Sequence, residues 1–348
     1  MRGLEWVITS QGRLELLPID LAPAPAPISG PAPSQAPPPG RILTRTLYTV
    51  ISPGTELDIF SGRDPESFVP QAWQRYPFRP GYANVGEVVA LGPATDSGLH
   101  PGDVVLTSAG HRSHALPTAD QARRIPAGLP PEHAGLLRLA AISATALRQS
   151  HTIPGDRVAV FGLGLIGHLA AQLFALSGRR VVGVDPVPGR RELAERVGLT
   201  ALPDDSGVSA ALGGTPDCVV DAVGRSSIIL RAAELVRKGG EVILLGTPRV
   251  PEPTENVTAF FRRVHSAGLR IIGAHGNSLP DRAPGRAASI TRDIEDLCHW
   301  ALDGRLRLAP LVTHQLPYDA LPQAYDGLEH RKNDYMAVVL DWRHAAPG

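Results

Sequence analysis

The chain has 348 residues, which is room for about two domains, each large enough to bury its own core. A hydrophobic fraction of 43% and a charged fraction of 20% are those of an ordinary globular protein, and 34 Lys+Arg balance 34 Asp+Glu. That balance removes the electrostatic reason to expect a nucleic acid or an anionic membrane as partner, and leaves a small-molecule substrate. Cys218 and Cys298 are too few and too far apart for a disulfide framework or a zinc ribbon, which fits a reducing cytoplasm. Glu5 interrupts the first residues and no apolar run follows, so no secretory signal is read there.

The first predicted element is a hairpin. Trp6–Thr9 and Arg13–Leu17 flank Ser10-Gln11-Gly12, which has turn chemistry. Residues 22–40 follow, with eight prolines and no charge. Proline fixes φ and removes a donor, so this stretch reads as an extended surface connection, or as a ligand for a proline-binding module. Strands are predicted at Arg41–Val50, Val85–Leu91 and Asp103–Thr107, joined by Gly/Pro turns, which suggests a small barrel or sandwich.

The period changes at about residue 132. Glu132–Arg148 reads as a helix, and strand and helix patterns alternate after it. Strands are predicted at 157–161, 180–184, 218–221, 241–245 and 270–272. Helices are predicted at 165–177, 190–197, 226–236 and 290–303. Such alternation builds βαβ units on a parallel sheet. The apolar run from Val158 to Leu176 is long enough to span a bilayer, but its glycines and His168 favour a buried strand, turn and helix. Met336–Leu340 reads as one more strand.

The chemistry-bearing motif is Gly162-Leu163-Gly164-Leu165-Ile166-Gly167. On its own this pattern is weak. Here it follows an apolar strand, Val158–Phe161, opens a helix, and is followed after about 20 residues by Asp185 at the end of the next strand. Gly162 allows the tight turn, Gly164 lets backbone approach a pyrophosphate, and Gly167 lets helix pack on strand. The helix N-terminus offers free N–H groups to phosphate. Asp185 would accept the adenosine ribose hydroxyls and repel a 2′-phosphate, so NAD(H) is favoured over NADP(H). Arg190 and Arg191 blur that choice, unless they face solvent or pair with Glu192 or Glu195.

The chain resembles the medium-chain dehydrogenase/reductase superfamily over nearly its whole length. Ile51-Ser52-Pro53-Gly54-Thr55-Glu56, Pro80–Val88, Pro101–Val105, Val220-Asp221-Ala222-Val223-Gly224 and Arg237–Val242 carry the likeness. The resemblance implies an α/β fold: a Rossmann doubly wound parallel sheet domain (139–307) inserted in a β-rich, GroES-like catalytic domain formed by 1–138 and 308–348. It adds Leu165, Ile166, Arg190, Val223, Gly224, Leu245, Gly246 and Thr247 to the cofactor site, and it implies a homodimer. The zinc ligands of the family are missing. Pro53 or Ser52 stands for cysteine, Tyr82-Ala83 for His-Glu and Arg138 for the third ligand, while Gly110-His111-Arg112-Ser113-His114 replaces the four-cysteine lobe. No metal is therefore expected, and the chain looks most like the branch containing bacteriochlorophyllide hydroxyethyl dehydrogenases.

Without zinc, another group must meet the charge that develops on the substrate oxygen. The resemblance makes Thr55 the start of a proton relay. Tyr82 offers a phenol, or merely fills the space of the metal. Arg138 offers a charge, or pairs with Glu56. Glu56 and Asp58 would carry protons outward, and His275, after the last Rossmann strand, would face the nicotinamide. His111, His114, His133 and His151 read as ordinary loop or helix-end residues. The expectation is a zinc-independent oxidoreductase interconverting a secondary alcohol and a ketone. The alternatives are an enoyl or quinone reductase, and a non-catalytic dinucleotide-binding scaffold or sensor.

Overall fold

The computed structural model describes residues 2–21, 37–250, 252, 256–284 and 289–345. Most of the proline-rich stretch, 22–36, lies outside the described residues, so neither reading of it is addressed. The chain forms two compact units, one made of Met1–Arg138, Val312–His330 and Ala337–Gly348, the other of Leu139–Leu311 and Arg331–Met336. The return to the first unit thus starts at Val312 rather than 308, and 331–336 belong with the second unit. The reason is local: Gly189 N donates to Asn333 Oδ1 at 2.9 Å.

In chain order the strands are β1 (Arg2–Ser10), β2 (Arg13–Asp20), β3 (Ile42–Val50), β4 (Asn84–Leu91), β5 (Val104–Thr107), β6 (His114–Ala115) and β7 (Arg123–Arg124). Then come β8 (Arg157–Phe161), β9 (Arg180–Val184), β10 (Thr200–Leu202), β11 (Cys218–Asp221), β12 (Glu241–Leu244) and β13 (Arg270–Gly273), followed by β14 (Val312–Pro317) and β15 (Ala337–Asp341).

In the first unit β1 and β2 pair as an antiparallel hairpin longer than its sequence signal, because the pairing runs on to Arg2 and Asp20. A second sheet has the order β14-β15-β3-β4-β5-β7, with β6 also on β3. Its Ile42, Val88 and Val105 are buried together with Leu99 from the loop before β5. Two helices here were not read from sequence, Pro53–Ser61 and Leu321–His330. Ser-Pro-Gly resembles turn chemistry, yet Pro53 sits at the first helical position, where its missing N–H costs nothing. The helix expected over Glu132–Arg148 is broken into Pro131–Ala134 and Leu136–Gln149. At the break, a Cβ on Gly135 would lie 2.4 Å from Val50 Cγ2.

The second unit is a six-stranded parallel sheet in the order β10-β9-β8-β11-β12-β13. Strand order reverses between β8 and β11, and the loops after these two strands therefore diverge and leave a crevice at their carboxyl ends. One face buries Val158, Val160, Leu163, Ala170 and Phe174. The other buries Ala159, Phe161, Val219 and Val242. Strands apolar on both faces are what a covered parallel sheet requires. Among the described residues no helix is long and apolar enough to cross a membrane. The Val158–Leu176 run resolves into β8, the glycine turn and the helix Leu165–Leu176.

Candidate active site

The glycine turn lies at the carboxyl end of β8. Gly162 has φ +86°, a left-handed conformation that costs other residues dearly, and its N–H donates to Val184 O at 2.8 Å. A Cβ on Gly167 would sit 1.8 Å from Gly162 O, so the helix meets the turn at backbone distance. Around Gly164, by contrast, the nearest atom to an added Cβ is Arg190 Nη1 at 4.0 Å. The space in front of that glycine is open, as a dinucleotide would need. Leu165 is buried and Ile166 half-buried at the start of the helix, whose first N–H groups have no intrahelical acceptor. These residues fit a pyrophosphate.

Asp185 directly follows β9 and is almost wholly buried. Its Oδ2 accepts from Leu163 N at 2.8 Å, and its Oδ1 accepts from Val187 N at 2.8 Å. Arg190 neither faces solvent nor pairs with a glutamate of its own helix. Its Nη1 lies 3.2 Å from Asp185 Oδ2, and its Nε is buried without a partner. Arg191 Nη1 donates to Asp185 O at 2.8 Å. The helix Pro188–Arg196 begins so soon after β9 that both arginines reach back to the strand end. Asp185 thus carries a guanidinium over it, beside the open glycine.

The second pair of loops follows β11 and β12. Asp221 accepts from the N–H groups of Val223 (3.0 Å) and Gly224 (3.1 Å), which curls that loop, and burial lifts its carboxyl to about 6. A Cβ on Gly246 would lie 2.4 Å from Gly224 N, and one on Gly224 would lie 2.5 Å from Thr247 O. Val223, Gly224, Leu245, Gly246 and Thr247 are therefore brought together, with Leu245 buried and Thr247 exposed. Asp221 matters to this loop, and sequence reading noted only its motif.

In the first unit the helix Pro53–Ser61 and the start of β4 bring Ser52, Thr55 and Tyr82 together. The Tyr82 hydroxyl shares a hydrogen bond with Ser52 Oγ and another with Thr55. The Arg138 guanidinium lies 5.6 Å from the Tyr82 ring centroid. Loss of water raises the Tyr82 phenol above its ordinary value, with the two hydroxyl partners opposing that rise. Ser52 entered the sequence reading only as a missing metal ligand. Its contact with Tyr82 spans thirty positions and has no local signal.

Other expected residues fall elsewhere. Glu56 is fully buried, and its oxygens accept from Ser52 N, His111 Nε2 and Tyr325 OH. Asp58 is engaged by Arg63 Nε at 2.8 Å, and Arg63 also holds Glu329 through two bonds, tying two helices together. His275 is exposed after β13. His111, expected to be an ordinary loop residue, is buried in a polar network, and His114 is buried too. His151 is largely exposed beside Glu241.

The positions that answer to the family's zinc ligands carry the Ser52 hydroxyl, the buried Tyr82 phenol and the Arg138 cation. Such a set does not suit a dication, which takes thiolate, imidazole or carboxylate. Among the described residues no group of three or more His, Cys, Asp or Glu is placed to hold a metal ion.

Comparison with known proteins agrees with this architecture. Residues 166–290 match the family model for zinc-binding dehydrogenase. The 2-desacetyl-2-hydroxyethyl bacteriochlorophyllide A dehydrogenase of Cereibacter sphaeroides is 30% identical over 329 residues, covering 89% of this chain and 93% of the relative. An alcohol dehydrogenase from Escherichia coli CFT073, solved with NADH, superposes with a TM-score of 0.77 at 18% identity, covering 98% of this chain and 99% of that one. A zinc-binding dehydrogenase from Sinorhizobium meliloti 1021, bound to NADP, gives 0.75 at 20% identity, with coverage of 98% and 99%. With its six-stranded Rossmann sheet, its split β-rich unit and a full-length relative, this chain belongs to the medium-chain dehydrogenase/reductase superfamily.

Proposed function

We propose that the chain is a zinc-independent, NAD(P)-dependent oxidoreductase that interconverts a secondary alcohol and a ketone. The observation that carries this reading is the Tyr82 phenol, raised by burial and hydrogen-bonded to Ser52 and Thr55, at the family's metal position. A dinucleotide bound at the Gly162–Gly167 turn would supply or accept the hydride. Reduction leaves negative charge on the carbonyl oxygen, and a neutral phenol can donate its proton there. Ser52 and Thr55 would hold the phenol and return its proton, while Arg138 would favour the developing anion through its charge. The name of the Cereibacter relative, a dehydrogenase of a hydroxyethyl compound, supports an alcohol as substrate. Asp185 favours NAD(H), since a 2′-phosphate would meet its carboxylate.

The test is hydride transfer followed at the reduced-nicotinamide absorbance band, with a panel of ketones and enones and with the Tyr82→Phe variant. Turnover of ketones by protein stripped of zinc is expected, with a loss of at least about a hundredfold in the variant, the usual worth of a general acid. A Tyr82→Phe rate within about twofold of the parent would remove the phenol from the chemistry. Turnover of enones alone would replace the alcohol reading.

A further inference from the structure

One motif of the first unit is not used by the proposed chemistry: the loop Gly110-His111-Arg112. His111 is 1% exposed, and its ring bonds both to the end of β3 and to the helix Pro53–Ser61 that follows it. Nδ1 lies 2.7 Å from Thr49 Oγ1 and Nε2 lies 2.9 Å from Glu56 Oε2. Trp342 Nε1 donates to Thr49 Oγ1 at 3.0 Å, and Tyr325 OH donates to Glu56 Oε2 at 2.7 Å. The indole has only a donor, so Thr49 Oγ1 accepts from it and shares a further hydrogen bond with His111 Nδ1. His111 then donates from Nε2 to the Glu56 carboxylate. Every polar atom of this buried chain is used, and the chain ends on Glu56.

Both ends of the His111–Glu56 pair touch the Ser52–Tyr82 contact. Glu56 Oε1 accepts from the backbone N–H of Ser52 at 2.7 Å. On the other side, His111 packs on Gly81, the residue before Tyr82: a Cβ on Gly81 would lie 2.9 Å from His111 N and 3.0 Å from its ring. His111 N also donates to Pro80 O at 2.9 Å. One residue pair therefore fixes the backbone on both sides of the contact. Apolar side chains of equal volume would fill this space without desolvating a carboxylate, so the polar pair is better explained by the geometry it sets than by stability.

We infer that His111 and Glu56 form a buried positioning pair that holds Ser52 and Tyr82 in hydrogen-bonding register. The inference rests on the reading of Tyr82 as the proton donor, and neither His111 nor Glu56 is assigned contact with substrate.

The test compares His111→Phe, which fills the volume without either bond, His111→Gln, which retains a donor toward Glu56, and the isosteric Glu56→Gln. Crystal structures of the folded variants report the Ser52–Tyr82 separation directly. Positioning predicts that the contact opens in His111→Phe and Glu56→Gln and closes again in His111→Gln. Ketone reduction should show kcat down by about tenfold or more in the first two, with KM for NADH within about twofold, since misplacement of a reacting group acts on kcat. Combined with Tyr82→Phe, the His111→Phe change should cost little further, because it acts through the phenol. An intact Ser52–Tyr82 contact in both disrupted variants overturns the inference whatever the activity. So does a lowered melting temperature with unchanged kcat, which is the mark of a purely structural role. Full activity of Tyr82→Phe alone would instead defeat the functional reading, and the crystallographic separation would still decide the positioning role. Should His111→Phe fail to fold, Glu56→Gln carries the same decision.

Discussion

His168 gives a stability prediction that can be worked through. It lies in the first turn of the helix behind the glycine turn, fully buried, with its N–H on Gly164 O at 2.8 Å. Burial lowers its imidazole from 6.5 to about 4. The folded state therefore holds the neutral ring, while the unfolded chain takes up a proton near its ordinary value. Stability contributed by the neutral ring is complete above about pH 6.5 and is lost as pH falls toward 4, with no further loss below. A difference of about 2.5 units, at about 1.4 kcal/mol each, amounts to about 3.5 kcal/mol in full. Between about pH 7 and pH 4.5 the loss is about 2.4 kcal/mol. Substitution His168→Leu removes the titration. Denaturant unfolding of both proteins across this range should show the parent losing about 2 kcal/mol more than the variant. Asp221, lifted to about 6, works in the opposite sense: its uncharged form favours the fold, so its contribution is lost as pH rises from 3.8 through 6. That term is common to both proteins and cancels in the comparison. Parallel pH curves for parent and variant would refute the reasoning.

Two further changes probe the dinucleotide site. Arg190→Ala uncovers Asp185, removing a cation that offsets its charge. By calorimetric titration, NADPH should bind about tenfold or more weakly while NADH changes by less than about threefold, because a charge-assisted hydrogen bond is worth about 1.5–3 kcal/mol; an equal fall for both would show that Arg190 does not discriminate between them. Gly167→Ala places a methyl within bonding distance of Gly162 O, so either the helix or the turn must move. NADH affinity should drop at least tenfold, as overpacking of about 1–3 kcal/mol or more falls on the phosphate turn, and unchanged binding would mean that the turn does not hold the pyrophosphate.

The sequence by itself determined the dinucleotide unit. Its signal is local: an apolar strand, a glycine turn, a helix and an acid all lie between Arg157 and Asp185, and short-range sterics and periodicity decide each of them. β8, β9, β11, β12 and β13 were readable for the same reason, since strands of a covered parallel sheet leave continuous apolar runs, whereas the three-residue edge strand β10 (Thr200–Leu202) is too short to leave one. The helix at Pro53 was not, because Pro-Gly suits both a turn and a helix start, and only the packing around it selects one. The Ser52–Tyr82 contact and the His111–Glu56 pair depend on β3, β4 and the 110–111 loop meeting across 30 and 55 positions of chain. Spacing in the sequence carries no trace of such meetings. Arg190 shows the same limit at short range: its position near Asp185 was legible, but the rotamer that lays its guanidinium on the carboxylate is set by burial and charge, which exist only in the folded chain.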